Sequence, residues 1–295
     1  MSFRHGKILA LAGEVSKEVT GEELSEGFSK TLNAGMHGLC FSAYLEGQEP
    51  GSELSELQVR QRMEIIAPYT KWVRSFSCIE GNELIPKVAK DFGIKTLVGA
   101  WLGDDMVKNE EEIEGLIKLA KDGFVDVAAV GNEVLYRKDL SEDQLLNYIQ
   151  RVKDALNGEV PVGYVDAYYE FEIKPRITEV CDVILANCYP FWEGCDADYA
   201  ILYMKDMYRR TVNAAKGKKV IITETGWPSE GQKLYGAHPG KESAMRYFMN
   251  TQFWSASEDI DIFYFSSFDE AWKTGAEGDV GAYWGIWDKD HYLKF

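Results

Sequence analysis

From residue 37 onward, short runs of β-branched, aliphatic and aromatic residues alternate with longer stretches in which apolar side chains recur every three or four positions. The short runs predict eight strands: Gly38–Tyr44, Trp72–Ser77, Ile94–Leu102, Val125–Glu133, Val160–Val165, Asp182–Tyr189, Lys219–Glu224 and Asp261–Phe268. The longer stretches predict helices, among them Glu83–Phe92, Glu110–Lys121, Glu142–Leu156 and Glu242–Ser257. Ser141, followed by two acidic residues, has the chemistry of a helix N-cap. Gly93, Gly123 and Gly158 stand where a helix needs a left-handed residue to end. Ile94–Leu102 and Val220–Ile222 are continuously apolar, as strands covered on both faces are.

Strand and helix in strict alternation predict an α/β fold with a parallel sheet, and eight repeats predict that the sheet closes into a (β/α)8 TIM barrel. Such a barrel allots about 31 residues to each βα unit, which the spacing matches on average. No Pro/Ser-rich linker or shift in composition divides the 295 residues, so a single domain is expected, with the catalytic barrel over 37–295. Residues 1–36 precede the first strand and are expected to cover the bottom or flank of the barrel.

Composition narrows the partners. Forty-five per cent apolar and 27% charged residues exclude a disordered or fibrous chain. Thirty-two basic against 48 acidic residues give a formal charge of −16, which disfavours nucleic acid and anionic membrane surfaces. Aromatics reach 13%, with 8 Trp and 16 Tyr, enough to suggest a neutral ring-shaped ligand, although ordinary core aromatics give the same count. Cys40, Cys78, Cys181, Cys188 and Cys195 are odd in number and lack zinc-ligand spacing, so they read as reduced core thiols, with a bridge in the 181–195 cluster left open for an exported protein. The start carries Arg4, His5 and Lys7 and then only Ile8–Ala12 before Glu14, too short for a secretory signal. The cytoplasm is the default location, and the periplasm or exterior the expectation for a processed chain. The four histidines, His5, His37, His238 and His291, are not expected to meet at the barrel mouth, and neither a metal nor a cofactor is implied.

In a barrel of this kind the active site lies at the C-terminal ends of the strands. Two apolar runs end there on a glutamate: Val130-Gly131-Asn132-Glu133 on the fourth strand and Ile222-Thr223-Glu224-Thr225-Gly226-Trp227-Pro228 on the seventh. A carboxylate closing a buried strand costs desolvation unless it has a partner or a task; a structural ion pair accounts for either one alone. Two such carboxylates facing each other over a sugar ring are the machinery of glycoside hydrolysis. Glu133, with the amide of Asn132 beside it to bond a ring hydroxyl, suits the acid/base, and Glu224 the nucleophile. Tyr189, Trp192, Trp227 and Trp272 stand at strand ends where rings stack on pyranose faces, or equally where a core stripe runs.

Val-Gly-Asn-Glu at 130–133 and Thr-Glu-Thr-Gly-Trp-Pro-Ser at 223–229 resemble the motifs of glycoside hydrolase family 17, the β-1,3-glucanases and related glucanosyltransferases, in a bacterial-type member. The likeness runs from Gly38 to Trp287 and takes in Asn187-Cys188-Tyr189-Pro190 and Phe265 to Lys273, followed by Glu277. It implies a retaining (β/α)8 enzyme with Glu133 as acid/base and Glu224 as nucleophile. It further implies that Glu270, Lys273 and Glu277 line the site and that Tyr44 and Arg74 bind substrate or support the carboxylates. The substrate implied is β-1,3-glucan or its oligosaccharides, cleaved by hydrolysis or, alternatively, passed to a sugar acceptor. A non-catalytic glucan-binding barrel is the third reading. The loops Tyr44 to Ser55 and Phe191 to Asp198 are long and are expected to wall off one end of the groove, favouring a chain end or a short oligosaccharide.

Overall fold

A computed structural model describes residues 13–275 and 277–295 of the chain. In chain order its principal elements are α1 (Gly21–Asn33), β1 (Met36–Cys40), α2 (Glu56–Ile66), β2 (Thr70–Ser75), α3 (Leu84–Asp91), β3 (Lys95–Ala100), α4 (Met106–Lys121), β4 (Val127–Asn132), α5 (Val134–Arg137), α6 (Glu142–Leu156), β5 (Val162–Ala167), α7 (Glu170–Ile173), α8 (Pro175–Val180), β6 (Val183–Asn187), α9 (Ala200–Ala214), β7 (Val220–Thr225), α10 (Lys241–Glu258) and β8 (Ile262–Tyr264). The eight strands pair in sequence order, all parallel, and β1 closes on β8 with Gly38 opposite Phe263. The closed eight-stranded α/β barrel expected from the alternation is present.

Side chains alternate between two buried layers, as the pleat requires. Leu97, Val127, Ala129, Leu185, Ile221 and Phe263 belong to one cluster. Their neighbours Val98, Ala128, Val130, Ile184, Ile222 and Ile262 belong to another, which contains Ile113, Leu116, Ile149 and Met204 from the helices around the sheet. Gly38 makes room for this packing, because a Cβ there would lie 2.5 Å from the Phe263 ring.

Helix ends follow their local chemistry. Ser141 and Gln144 form a reciprocal capping box at the start of α6, and Ser55 and Gln58 form another at α2. Helix α4 begins four residues before the apolar periodicity suggested, because the Asp105 carboxylate accepts the amides of Val107 and Lys108. Gly93, Gly123 and Gly158 all have positive φ.

Strand β8 is three residues long, although apolar character continues to Phe268. At the cis Phe265–Ser266 peptide the chain leaves the ladder, and Ser266 and Ser267 instead donate to the carbonyls of Trp284 and Cys40. Those residues stay buried without extending the strand, which is why the pattern overshoots.

No α-helix follows β8 among the described residues, only a short 3-10 turn at Asp279–Ala282. Helix α1 packs against α10 on that side of the barrel, with Phe28 5.0 Å from Phe248 and 4.9 Å from Phe295 between ring centroids. The residues before Gly13, including Arg4, His5 and Lys7, lie outside the described ones. The five cysteines are free thiols, four of them buried. No described helix is long and apolar enough to cross a membrane.

Candidate active site

The end of β4 is built by its glycine. Gly131 has φ 85°, and a Cβ there would meet the Val134 side chain at 2.9 Å. Glu133 itself is left-handed at φ 51°, an uncommon conformation for a residue with a side chain, and its amide donates to Val165 O at 2.8 Å. The β4–β5 register slips between Ala129 and Asn132, so the chain turns out of the sheet and aims Glu133 at the mouth. At the end of β7, Gly226 is needed for a different reason. A Cβ at that position would lie 2.0 Å from the carbonyl oxygen of Phe265, so only glycine lets the β8 backbone come so near.

The structure brings Glu133 and Glu224 onto one donor. Asn187, at the end of β6, gives its Nδ2 hydrogens to Glu133 Oε1 at 2.9 Å and to Glu224 Oε1 at 3.1 Å. The hydroxyl of Thr223 donates to Asn187 Oδ1 at 2.9 Å and so fixes which end of the amide faces the carboxylates. Arg74 extends from β2 with Nη1 2.5 Å from Glu224 Oε1 and Nη2 2.8 Å from Asn132 Oδ1. The other oxygen of Glu224 accepts the Tyr189 hydroxyl at 2.6 Å. Both oxygens of Glu224 are thus held by donors. Asn132 keeps its Nδ2 without a protein acceptor among the described residues.

These surroundings differentiate the two carboxyls. Burial raises Glu133 above the usual carboxylate range, and the charge of Glu224 raises it further. Glu224 sits against a guanidinium that is itself 1% exposed. Burial, followed by the charge of Glu224, pushes the Tyr189 phenol well above its ordinary value, so it keeps the proton that it donates. On β5, burial pushes the carboxyl of Asp166 up to about 7.

After β8, Lys273 Nζ pairs with Glu270 Oε2 at 2.8 Å and lies 4.3 Å from the centre of the Phe265 ring. The Trp272 indole donates to Glu270 Oε1 at 3.2 Å, and its ring meets Tyr44 edge-on at 6.2 Å. The hydroxyl of Tyr44 accepts from Asn82 at 3.2 Å. Glu277, on the exposed part of the same loop, stands within reach of the same charges: burial and the carboxylates of Glu270 and Glu224 raise its carboxyl, and Lys273 opposes them. Trp192 is partly exposed and packs against Trp284 with centroids 5.5 Å apart.

One sequence expectation is corrected. Trp227 offers no face to a sugar: it is 1% exposed, its Nε1 donates to His238 O at 3.0 Å, and its ring packs against Phe191 and Tyr247. The polar residues around it in the motif hide the fact that its ring turns into the protein. Arg74 also has no open side, and of the two roles expected for it, its bonds to Glu224 and Asn132 match support of the carboxylates and not contact with substrate. Of the described histidines, His37 pairs with Asp261 and His291 accepts from Arg62.

Asn187 belongs to the site without being singled out by its sequence, although it closes an apolar strand just as the two glutamates do. Trp101, immediately after β3, and Tyr136, on α5, are exposed aromatics near the same rim, and Arg137 lies over the Trp101 ring at 4.6 Å. Single exposed aromatics carry no periodic signal in a sequence.

Residues 38–285 match the model of the BtgE/BtgC glycoside hydrolase domain. The glucan 1,3-beta-glucosidase of Candida albicans is 26% identical over 258 residues, covering 79% of this chain and 83% of the relative. That of Arthroderma benhamiae is 30% identical over 247 residues, covering 76% and 78%. Among solved structures, the glycoside hydrolase family 17 beta-1,3-glucanosyltransferase from Rhizomucor miehei superposes with a TM-score of 0.79 at 28% identity, covering 89% of this chain and 96% of that one. The resemblance read from the motifs is borne out, and these relatives are fungal, giving no support to a bacterial type.

Proposed function

The chain belongs to the BtgE/BtgC glycoside hydrolase domain family, and from that premise we propose that it cleaves β-1,3-glucosidic bonds of β-1,3-glucan or its oligosaccharides by double displacement. The observation that carries the mechanism is the shared donor. Two oxygens 2.9 and 3.1 Å from one nitrogen are at most about 6 Å apart, which suits a retaining pair at ~5–5.5 Å and falls short of the ~6.5–9.5 Å of an inverting one.

In the first step the Glu224 carboxylate attacks the anomeric carbon. The bond to the leaving oxygen breaks, and that oxygen takes the proton of Glu133. Burial supports this division of labour, since it keeps Glu133 protonated at a pH where a surface carboxyl has ionised. Once Glu224 is esterified its charge is gone, and so is part of what raised Glu133. Glu133, having given up its proton and now held ionised, then serves as base: it takes a proton from water, the water oxygen attacks the anomeric carbon, and Glu224 leaves as carboxylate. The free Nδ2 of Asn132 is available to a hydroxyl on the bound ring. The site carboxyls carry part of the acidic surplus, and a neutral glucan is not repelled by it.

Transfer to a sugar acceptor replaces water in the second step alone. The superposition on a beta-1,3-glucanosyltransferase favours keeping this reading beside hydrolysis. Proton NMR of the first product released from laminari-oligosaccharides tests both. β-Configured product supports double displacement and α-configured product refutes it, while products longer than the substrate mark transfer.

A further inference from the structure

We propose that Tyr164 and Asp166, two buried residues of β5 outside the substrate groove, are positioning residues that hold the backbone turn carrying Glu133 and thereby aim the acid/base. The inference rests on the reading of Glu133 as general acid. It adds a device that the two carboxylates and their donors do not contain.

Glu133 is followed by α5, only four residues long, and the first amides of any helix lack a carbonyl partner one turn back. One of these, Leu135 N–H, is satisfied by the Tyr164 hydroxyl at 2.9 Å. That hydroxyl donates its own proton to Asp166 Oδ2, and Asp166 Oδ1 accepts Ala167 N–H at 2.7 Å. Tyr164 and Asp166 are both 0% exposed, so water cannot replace any member of the chain. The carboxylate fixes the direction of the hydroxyl: with its hydrogen committed to Asp166, the oxygen lone pair is free for Leu135. Asp166 thus acts through Tyr164, and Tyr164 through a backbone amide two residues from Glu133.

The turn has a reason to need this. Gly131 and Glu133 both have positive φ, and a left-handed glutamate persists only where its surroundings impose the conformation. The turn is held a second time by Arg137, which spans Asn132 O at 2.5 Å and Leu102 O at 2.9 Å and orients its Nε to Asp139 at 2.7 Å. The turn is therefore held at two points, by the Arg137 guanidinium at Asn132 O and by the Tyr164–Asp166 pair at Leu135 N–H. With the second clamp gone, Leu135 N–H lacks an acceptor and the turn relaxes toward ordinary dihedrals, carrying the Glu133 carboxyl away from the leaving oxygen.

The test compares wild type, Tyr164→Phe, Asp166→Asn and Glu133→Ala on a laminari-oligosaccharide and on 2,4-dinitrophenyl β-glucoside, whose leaving group needs no proton. Misaiming of the acid is expected to cost Tyr164→Phe about 100-fold in kcat on the oligosaccharide and less than about 3-fold on the activated glucoside, with KM little changed. Asp166→Asn should behave alike but less severely, and in both variants amide exchange should quicken at Leu135 and not in the strands. Equal losses on the two substrates, or wild-type activity, in a folded Tyr164→Phe overturn the proposal. If neither variant folds, the pair supports the barrel and not the turn, which also overturns it. Glu133→Ala separates the two levels: if it shows the leaving-group split and Tyr164→Phe does not, only the positioning role falls. If Glu133→Ala shows no split, the acid assignment falls and the positioning role with it.

Discussion

Arg74 and Glu224, 150 positions apart in the sequence, meet across the barrel with Nη1 2.5 Å from Oε1, and the second arm of the same guanidinium reaches Asn132 at 2.8 Å. One rigid fork therefore sets the spacing between the nucleophile and the amide next to the acid. Arg74→Lys keeps the charge but not the fork and is expected to lower kcat about 100-fold. Arg74→Met leaves a buried carboxylate unpaired and should destabilise the fold by about 3–5 kcal/mol in chemical denaturation. Full kcat in Arg74→Lys would show that charge alone suffices.

Glu133→Ala should reduce turnover of laminari-oligosaccharides by about 100-fold or more and spare activated aryl glucosides, because only the former need a proton. The elevation of Glu133 has a sign that can be followed. Burial and the negative charge of Glu224 both raise it, so Glu224→Gln should lower the Glu133 titration, read by NMR of labelled glutamate carboxyls. An unchanged titration would mean that burial acts alone.

Gly226→Ala is a small change with a large expected cost. The added methyl would stand 2.0 Å from Phe265 O, a backbone atom that cannot swing aside, and a loss of about 3 kcal/mol or more in urea denaturation follows.

The barrel and both glutamates were legible in the sequence for one reason: each is a local pattern, an apolar run of strand length closed by a polar residue. Asn187 obeys the same rule, but an amide at a strand end announces no chemistry until the carboxylates around it are known. Arg74 was visible as a strand-end residue, but its pairing with Glu224 depends on the closure of the barrel, which no local pattern encodes. Trp227 shows the opposite failure. Its motif is specific, yet a sequence motif does not say which way an indole turns, and this one turns inward onto Phe191 and Tyr247. The early start of α4 was written in Asp105, whose capping role outweighs the later onset of apolar periodicity.

Stability should depend on pH through groups outside the site. Burial raises Glu112 to about 7, above an unfolded value of about 4.3, so between these limits the folded state holds a proton that the unfolded state has lost. Its contribution is complete below pH ~4 and falls as pH rises toward ~7. Asp261 is the reverse case. His37, opposed by burial and aided by Lys219, holds it down to about 2, so its contribution is present above pH ~4 and is lost as pH falls through about 2. Urea midpoints at pH 5 and pH 8 should differ in favour of pH 5 for the Glu112 component, and Glu112→Gln should narrow the difference.

Rings at the rim should be separable from rings in the core. Trp192→Ala is expected to raise KM for longer oligosaccharides by up to about tenfold with little effect on an aryl glucoside. Trp227→Phe should leave KM unchanged and lower the thermal midpoint, since it removes a buried hydrogen bond. A KM effect at Trp227 would restore it to the groove.

The pairing of β1 with β8, and of Phe28 with Phe248, has a consequence for how the protein is made. On the ribosome, α1 and β1 emerge long before the partners that cover them, so through most of translation an apolar helix face and an open strand edge are exposed together. A chain in that position must wait for its end to finish its beginning, and it is in that interval, not after release, that a chaperone would find its binding surface.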